Sequence, residues 1–263
     1  MNNIIDNFGQ ILEFAKGYGI PQTKERGILR EYLQTKILEL VYQTNQSVNL
    51  FFVGGTSLRL LYGLDRFSED LDFDFINISF GKIDRLMEAI CQKLKKENIE
   101  LDFYRNQTAR RLYFEFRFRN LLNLLKITSD KEEKLVIKFD FENFWQGQQR
   151  KTILLKRYGF LANIVTIPLE QILVQKLFAY IKRKQTLPRD IYDLVWFYSR
   201  EIKPDWDFAK KNHLPASLLA QTKEKFEKEK NKIEDFKIRL KPFLLEEKNV
   251  GKINLLGQIL EEF

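Results

Sequence analysis

The strongest constraint on the fold is a run of four carboxylates within six residues, Glu69, Asp70, Asp72 and Asp74, in the segment SEDLDFDF. The aspartates alternate with apolar residues, which predicts a β-strand with one acidic and one apolar face. Clustered carboxylates repel one another and desolvate poorly, so a compensating partner is expected. A divalent cation is the leading candidate, because oxygen-only ligands suit magnesium or manganese.

The strand also has a simpler interpretation, since an acidic strand edge can serve only to discourage aggregation. The segment immediately upstream, FVGGTSLRLLYGLDRF, favours the interpretation as a metal site. Gly54 and Gly55 follow a predicted buried strand and precede a predicted helix, where free amide donors and the helix dipole favour a phosphate. The hydroxyls of Thr56 and Ser57 are further donors, although Gly-Gly-Thr can also be a tight turn with a helix cap. Together the two features predict phosphoryl or nucleotidyl transfer.

Composition narrows the class of protein. The chain has 263 residues, 44% of them hydrophobic, and can bury a core. A single cysteine, Cys91, excludes an internal disulfide, and with the single histidine, His213, it argues against a zinc cluster. We therefore expect a reducing, cytoplasmic location. The sequence shows no export signal and no uncharged apolar run of about 18 residues, so no membrane span is expected.

The charge balance suggests an anionic partner. Lys and Arg outnumber Asp and Glu by 44 to 36, and the formal net charge is +8. A basic chain with a tight acidic cluster fits nucleic acid approaching a metal-loaded centre, although a lysine-rich surface can also serve only solubility. The segment RRLYFEFRFRN interleaves arginines with aromatic residues. We assign its phenylalanines to a core face and leave its arginines as possible RNA contacts.

Periodicity divides the chain into two parts. A mixed sheet of about five strands with helices is expected up to residue 167, and from Pro168 the apolar period changes from two to 3.6. This pattern predicts an α+β fold, with an α/β core over residues 1–167 and a helical carboxy-terminal part over residues 168–263. No role is assigned to residues 204–263, which read as charged amphipathic helix.

Two segments resemble a known family. GGTSLRLLYGLDRFSEDLDFDF, residues 54–75, resembles the first motif of the AbiEii/AbiGii toxin family, nucleotidyltransferases of the polymerase-β-like superfamily. LEQILVQKLFAYIKRKQTLPRDIYDLVWF, residues 169–197, is similar to the family's downstream Lys and Arg-Asp-x-x-Asp helices. Thr56 stands where many relatives have Ser, and Asp74 extends the acidic run; we treat Asp74 as a strand-end residue.

The resemblance implies a polymerase-β-like core and a set of site residues. The implied metal ligands for Mg²⁺ or Mn²⁺ are Asp70, Asp72 and Asp140. The implied catalytic residues are these three with Lys176, which neutralises the triphosphate, and Asp193 at the active site. The implied nucleotide-binding residues are Gly54, Gly55, Thr56, Ser57, Arg66, Ser68, Lys138, Lys176, Arg189 and Asp190. The helical part is then expected to complete the active site.

The residues themselves support part of this assignment. Arg189, Asp190 and Asp193 are spaced to lie near one helical face, although intrahelical ion pairs explain the same spacing. In LVIKFDFEN, Lys138 and Asp140 alternate with apolar residues and share a polar strand face. Asp140 can complete the metal site or act as base for an acceptor hydroxyl, and Lys138 can contact phosphate. A half-exposed strand whose charges face water is the alternative.

The resulting hypothesis is a metal-dependent transfer of a nucleoside monophosphate from an NTP to an acceptor hydroxyl. The resemblance makes RNA, with tRNA ends as one option, the expected acceptor. It also implies a toxin restrained by a cognate antitoxin, as in phage-defence abortive infection. Three alternatives stay open: a small-molecule nucleotidyltransferase of the aminoglycoside-modifying type, a kinase-like phosphotransferase, and a non-catalytic RNA-binding module.

Overall fold

Two compact units make up the part of the chain that the computed structural model describes, residues 3–262. Unit 1 contains the chain up to Tyr62, Phe67–Phe144 and Lys151–Thr166. Unit 2 contains Gly63–Arg66, Trp145–Arg150 and the chain from Ile167 onward. Two short segments that precede residue 167 therefore group with the later part of the chain, and the domain boundary itself stays a prediction.

All strands of the described residues lie in unit 1. They are β1 (Leu50–Val53), β2 (Asp70–Phe75), β3 (Leu101–Gln107), β4 (Arg111–Phe118), β5 (Leu135–Glu142), β6 (Lys151–Arg157) and β7 (Phe160–Thr166). The first five form one sheet in the order β1-β2-β5-β4-β3, and β6 and β7 form a separate antiparallel hairpin. Only β2 and β5 pair in parallel; the other neighbours in the sheet are antiparallel. The predicted mixed sheet of about five strands is confirmed.

The helices of unit 1 cover part of this sheet. They are α1 (Asn3–Asp6), α2 (Phe8–Gly17), α3 (Glu25–Tyr42), α4 (Gly54–Tyr62), α5 (Phe80–Lys96) and α6 (Leu121–Leu124). A 3₁₀ segment, Asn45–Asn49, leads into β1. The helical segment at the start of the described residues is interrupted after Asp6, so that α1 and α2 are separate helices.

Aromatic side chains fill the core beneath the sheet. The phenylalanines of β4 expected on a core face, Phe114, Phe116 and Phe118, are each 0% exposed, which confirms that prediction. Phe73 of β2 stacks on Phe141 of β5 with ring centroids 4.8 Å apart. Since alternate residues of a strand point to opposite faces, burying these rings leaves the acidic residues of β2 and β5 on the other face.

Unit 2 is helical, as the change of period predicted. Its helices are α7 (Leu169–Lys182), α8 (Pro188–Tyr198), α9 (Trp206–Lys211), α10 (Leu218–Glu229), α11 (Ile233–Leu240) and α12 (Leu256–Glu262), with 3₁₀ segments at Lys230–Lys232, Lys241–Phe243 and Glu247–Leu255. The helix α7 contacts α8, α9 and α10, and α8 also contacts α11 and α12. Trp145 stacks on Phe208 at 5.5 Å and anchors its segment to this helical core.

Among the described residues, no helix has the length and apolar character needed to cross a membrane.

Candidate active site

The glycine turn after β1 lies directly against the acidic strand. Gly54 has a φ of +76°, which favours glycine. A Cβ at Gly54 would lie only 2.0 Å from Oδ2 of Asp72. Antiparallel pairing causes this approach, because Val53 of β1 is the register partner of Asp72 on β2. The sequence motif thus has a steric reason that the sequence alone did not reveal: glycine leaves room for the carboxylate.

The two hydroxyls after the glycines make contacts within unit 1. Thr56 Oγ1 donates a short hydrogen bond to the main-chain oxygen of Asp70, and Ser57 Oγ donates to the main-chain oxygen of Gly54 at 2.9 Å. Both side chains are buried. The Thr56 hydroxyl therefore ties the start of α4 to β2, and the Ser57 hydroxyl bonds within the first turn of α4. Their expected contact with nucleotide phosphates stays a prediction.

Strand pairing brings the three predicted metal ligands together. Asp70 and Asp72 lie on the polar face of β2, and both are partly exposed. In the parallel pair, Asp72 is the register partner of Asp140, and Asp70 is the partner of Lys138. All four side chains share one face of the sheet, because paired residues on neighbouring strands point the same way. Asp74, treated as a strand-end residue, is 3% exposed.

Asp140 differs from the other two carboxylates in its partner. Arg111 of β4 forms a short bidentate ion pair with both oxygens of Asp140, and its Nε lies 4.0 Å from Oε1 of Glu142. Across residues 3–262, no three acidic, histidine or cysteine side chains form a ready-made metal cage. The donor set nevertheless fits a hard divalent cation, since Asp70 and Asp72 offer carboxylate oxygens from one rigid strand. Asp140 would join them through an oxygen that already accepts from Arg111.

An open cavity of about 360 Å³ adjoins these carboxylates. Asp70, Lys138 and Asp140 line one side, and Arg111 and Tyr113 of β4 line another. The end of β3 contributes Asn106 and Gln107, and the turn between β3 and β4 contributes Thr108. Burial raises the pKa of Tyr113, as do its hydrogen bond to Glu115 and the charges of Glu115 and Asp70. Because several lining side chains are charged or polar, the cavity suits a polar ligand.

A buried ion cluster holds α4 in place. Glu31 of α3 is 2% exposed and accepts a 2.7 Å hydrogen bond from Nε of Arg59 on α4. Arg157 and the hydroxyl of Tyr158 also contact Glu31, at 2.6 Å and 3.0 Å. Burial alone would raise the pKa of Glu31, but the two guanidinium groups lower it. The sequence analysis missed this cluster, because its members are far apart in sequence and no local pattern links them.

Unit 2 contains a second network of predicted site residues. Asp193 is 0% exposed and forms a bidentate pair with Arg66, in which Nε to Oδ1 and Nη2 to Oδ2 are both 2.7 Å. The Nζ of Lys176 lies 2.7 Å from Oδ2 of the same carboxylate. Burial would raise the pKa of Asp193, but the charges of Arg66 and Lys176 lower it. The structure therefore brings together Lys176, Asp193 and Arg66, which the sequence had placed in separate motifs.

The remaining predicted residues have local partners. Asp190 is 4% exposed and pairs with Nε of Arg183 at 2.9 Å, and burial raises its pKa. The guanidinium of Arg189 lies over the ring of Phe243 at 4.5 Å. The main-chain oxygen of Ser68 accepts a 3.0 Å hydrogen bond from Gln34. Contact of these residues with a nucleotide stays a prediction.

Comparison with known proteins identifies the family. A profile of the family described as Nucleotidyl transferase AbiEii toxin, Type IV TA system, matches residues 37–255. The chain belongs to this family. The AbiEii protein is therefore a nucleotidyltransferase of a toxin–antitoxin system, and membership in that type of system implies an antitoxin partner. No curated protein sequence matched the chain.

Solved structures share the fold of this AbiEii protein. A putative nucleotidyltransferase from Helicobacter pylori is 21% identical, with a TM-score of 0.57 over 90% of this chain and 96% of that one. JHP933 from Helicobacter pylori is 20% identical, with a TM-score of 0.55 over 90% and 93%. MenT4, a nucleotidyltransferase toxin from Mycobacterium tuberculosis, is 22% identical, with a TM-score of 0.51 over 83% and 70%. The predicted family, fold class and enzyme class are confirmed.

Proposed function

We propose that this AbiEii nucleotidyltransferase transfers a nucleoside monophosphate from an NTP to a hydroxyl of RNA, with tRNA ends as one option. The observation that carries the proposal is the register of β1, β2 and β5, which groups three carboxylates beside the glycine turn. The biological role that follows is a toxin held in check by its antitoxin, in phage-defence abortive infection. Such a role places the reaction in the cytoplasm.

The start of α4 is the proposed binding site for the triphosphate. Gly54 and Gly55 open this helix, where main-chain N–H groups lack intrahelical partners and the helix dipole favours an anion. The Glu31–Arg59 pair fixes α4 relative to α3, so the amide groups are held in place before the nucleotide arrives. The short hydrogen bond from Thr56 to β2 fixes the same turn relative to the carboxylates.

Asp70 and Asp72 are the proposed ligands for Mg²⁺ or Mn²⁺, with Asp140 as a third. A bound divalent cation would neutralise charge on the phosphates and stabilise the attacking and leaving oxygens of an in-line displacement. Residues of the chain supply the positioning, since β2 and β5 are rigid, paired strands whose apolar face is buried. The register pairing of Asp72 with Asp140 supports a role for Asp140 as the third ligand or as the proton acceptor.

The proposed reaction is a single transfer of a nucleoside monophosphate, with pyrophosphate as the leaving group. The acceptor oxygen forms a bond to the α-phosphorus, and the bond between the α-phosphorus and the bridging oxygen of the pyrophosphate breaks. Pyrophosphate leaves with that electron pair, and the hydroxyl proton passes to a carboxylate, for which Asp140 is the candidate. The family resemblance gives Lys176 the role of neutralising the triphosphate. In the structure its ammonium pairs with Asp193 in unit 2, so that role stays a prediction.

The test is transfer of label from the nucleotide to RNA. Purified protein is incubated with total cellular RNA, magnesium and each α-labelled NTP in turn, beside an Asp70→Asn, Asp72→Asn double variant. We expect label in an RNA band with the wild type and none with the double variant. The identity of the labelled nucleotide and the size of the band then define both substrates.

A parallel series with γ-labelled NTP separates the alternative reactions. Label from the γ position in RNA means terminal-phosphate transfer, and label from neither position in RNA, despite folded protein, contradicts the proposal. In that case the α-labelled reactions are repeated with aminoglycosides as acceptors. RNA binding without any transfer would support the alternative of a non-catalytic RNA-binding module.

A further inference from the structure

The order of strands gives the acidic face two different sides. On one side of β2 lies β1, which leads into the glycine turn and α4, and on the other side lie β5, β4 and β3. The proposed triphosphate site is therefore on the β1 side of Asp70 and Asp72. The open cavity extends from Asp70 toward the β5 side, where its walls come from β5, β4, the end of β3 and the turn that follows.

In-line displacement gives the two sides of β2 different roles: one side binds the leaving group and the other binds the acceptor. The attacking oxygen and the leaving oxygen lie on opposite sides of the α-phosphorus. If the pyrophosphate is held at the start of α4, the acceptor hydroxyl enters from the opposite direction. For the carboxylates of β2, that direction is the side of β5 and the cavity.

The charges in the cavity select the chemical class of acceptor. Two carboxylates, Asp70 and Asp140, and two cationic groups, Arg111 and Lys138, line it. Carboxylates occupied with a divalent cation no longer present net negative charge to an acceptor, whereas Lys138 is exposed and the side chain of Arg111 is 47% exposed. An acceptor would then meet positive charge. This charge disfavours a polycationic aminoglycoside and favours a phosphodiester.

The geometry of Arg111 suits a phosphate in particular. Its guanidinium already makes a bidentate pair with a carboxylate, and the same fork of donors matches two phosphate oxygens. The guanidinium also lies 5.4 Å from the centre of the Tyr113 ring. Tyr113 thus adds an aromatic surface beside the cation, a combination that serves stacked bases of single-stranded nucleic acid.

We propose that the cavity binds the terminal nucleotide of an RNA acceptor. Arg111 and Lys138 contact the phosphodiester next to the reacting hydroxyl, and Tyr113 packs against the terminal nucleoside. Asn106 and Gln107, at the end of β3, offer amide groups to the polar edge of that nucleoside. This inference rests on the proposed function, because it names the acceptor side of the same site. It also goes further, since it excludes a cationic small molecule as acceptor.

The experiment compares three matched variants in which a cation is replaced by glutamine. Arg111→Gln and Lys138→Gln change the cavity, and Lys134→Gln is the control. Lys134 directly precedes β5, at the end remote from Asp140, and its Nζ pairs with Asp102 at 3.0 Å. Thermal unfolding of each variant confirms the fold. Lys138 is exposed, so Lys138→Gln is expected to fold even if Arg111→Gln does not.

Two readouts are measured for each variant. The first is steady-state labelling with the RNA acceptor and the NTP varied separately. We expect the KM for RNA to rise about tenfold in each cavity variant, while the KM for NTP and the constants of Lys134→Gln stay within about twofold of wild type. The second readout needs no turnover: the affinity of a fluorescent single-stranded RNA oligonucleotide at several salt concentrations, in the absence of NTP. The slope of log affinity against log salt should shrink by about 0.7 for each phosphate that the variant no longer binds.

The outcomes separate the two proposals. If the wild type labels RNA but neither cavity variant changes the KM for RNA or the salt slope, the cavity is not the acceptor site and the proposed function survives. If the wild type transfers nothing to RNA, the proposed function fails. The binding readout then still decides whether the cavity contacts RNA phosphates. Equal effects in Lys134→Gln would mean that general surface charge explains the result, and would overturn the inference.

Discussion

Asp72 in unit 1 and Asp193 in unit 2 are both aspartates that the family resemblance assigns to the active site, but their surroundings differ. Asp72 is partly exposed on a strand face that carries two further carboxylates. Asp193 is fully buried and pairs with both Arg66 and Lys176. Carboxylates clustered on a partly exposed face attract a cation, whereas a buried carboxylate paired with cations stabilises its own unit. The two residues should therefore respond differently to substitution.

The largest expected effect is on activity, at Asp72. Asp72→Asn removes one charge from the proposed metal site, and we expect transfer of label to RNA to fall by about a thousandfold or more, roughly 4 kcal/mol of transition-state stabilisation. The midpoint of thermal unfolding should stay within a few degrees of wild type. Glu142→Gln is the matched control, because Glu142 is an exposed carboxylate on the same face of the neighbouring strand. A comparable loss of activity in Glu142→Gln would mean that the effect is not specific to Asp72.

The largest expected effect on stability is at Asp193. Asp193→Ala leaves the guanidinium of Arg66 and the ammonium of Lys176 buried without their shared carboxylate. Removing one partner of a buried ion pair costs about 3–5 kcal/mol. Urea unfolding measures the loss of free energy of unfolding. A stable Asp193→Ala protein with normal unfolding and lost activity would instead show that Asp193 acts mainly in the reaction.

The glycine turn offers a test of how closely unit 1 packs around Asp72. Gly54→Ala places a Cβ 2.0 Å from Oδ2 of Asp72 at a φ of +76°. Gly63→Ala is a matched control, because Gly63 has the same φ but a Cβ there would have no atom within 4 Å. Backbone strain should destabilise both variants by about 1–3 kcal/mol. Only Gly54→Ala should also displace the carboxylate and lose most of the activity.

Equal activity in the two glycine variants would mean that the close contact between position 54 and Asp72 does not affect the reaction. The comparison is measured in two assays on the same preparations: thermal unfolding for the shared strain, and labelling of RNA for the contact with Asp72. The expected pattern is a loss of stability in both variants, larger in Gly54→Ala because of its contact with Asp72, and a loss of activity in Gly54→Ala alone.

Acid titration should report on Asp193 with a smaller effect. The charges of Arg66 and Lys176 lower its pKa in the folded protein, so its ionised form stabilises the fold. That contribution is complete above the unfolded pKa of about 4 and is lost as the pH falls through the lower folded pKa. The unfolding midpoint of the wild type should therefore fall more steeply below about pH 4 than that of Asp193→Asn. Parallel curves would mean that Asp193 does not titrate differently in the two states.

Local patterns predicted most of unit 1 but not its contacts. Alternation along SEDLDFDF and LVIKFDFEN placed Asp70, Asp72 and Asp140 on polar strand faces, and the parallel register aligns those faces. Two sets of contacts were not predictable, because they join residues far apart in sequence. Arg111 and Asp140 are 29 positions apart, and the partners of Glu31 are at least 28 positions from it. In unit 2 the helical period was evident from sequence, but the contact of Arg66 with Asp193 crosses 127 positions. Periodicity reports the direction of a side chain, and only the fold reports its partner.

The smallest predicted effect concerns competition for Asp140. Arg111 occupies both oxygens of this carboxylate, and a divalent cation would need at least one of them. Arg111→Gln removes the competing charge, so Mn²⁺ should bind about threefold to tenfold more tightly, which corresponds to roughly 0.7–1.4 kcal/mol. Titration followed by the electron paramagnetic resonance signal of free Mn²⁺ measures this without any turnover. In Arg119→Gln the affinity should stay at the wild-type value, because Arg119 pairs with Asp102 instead. Weaker Mn²⁺ binding in Arg111→Gln would mean that Arg111 holds Asp140 in place for the metal, and the guanidinium would then be a positioning group instead of a competitor.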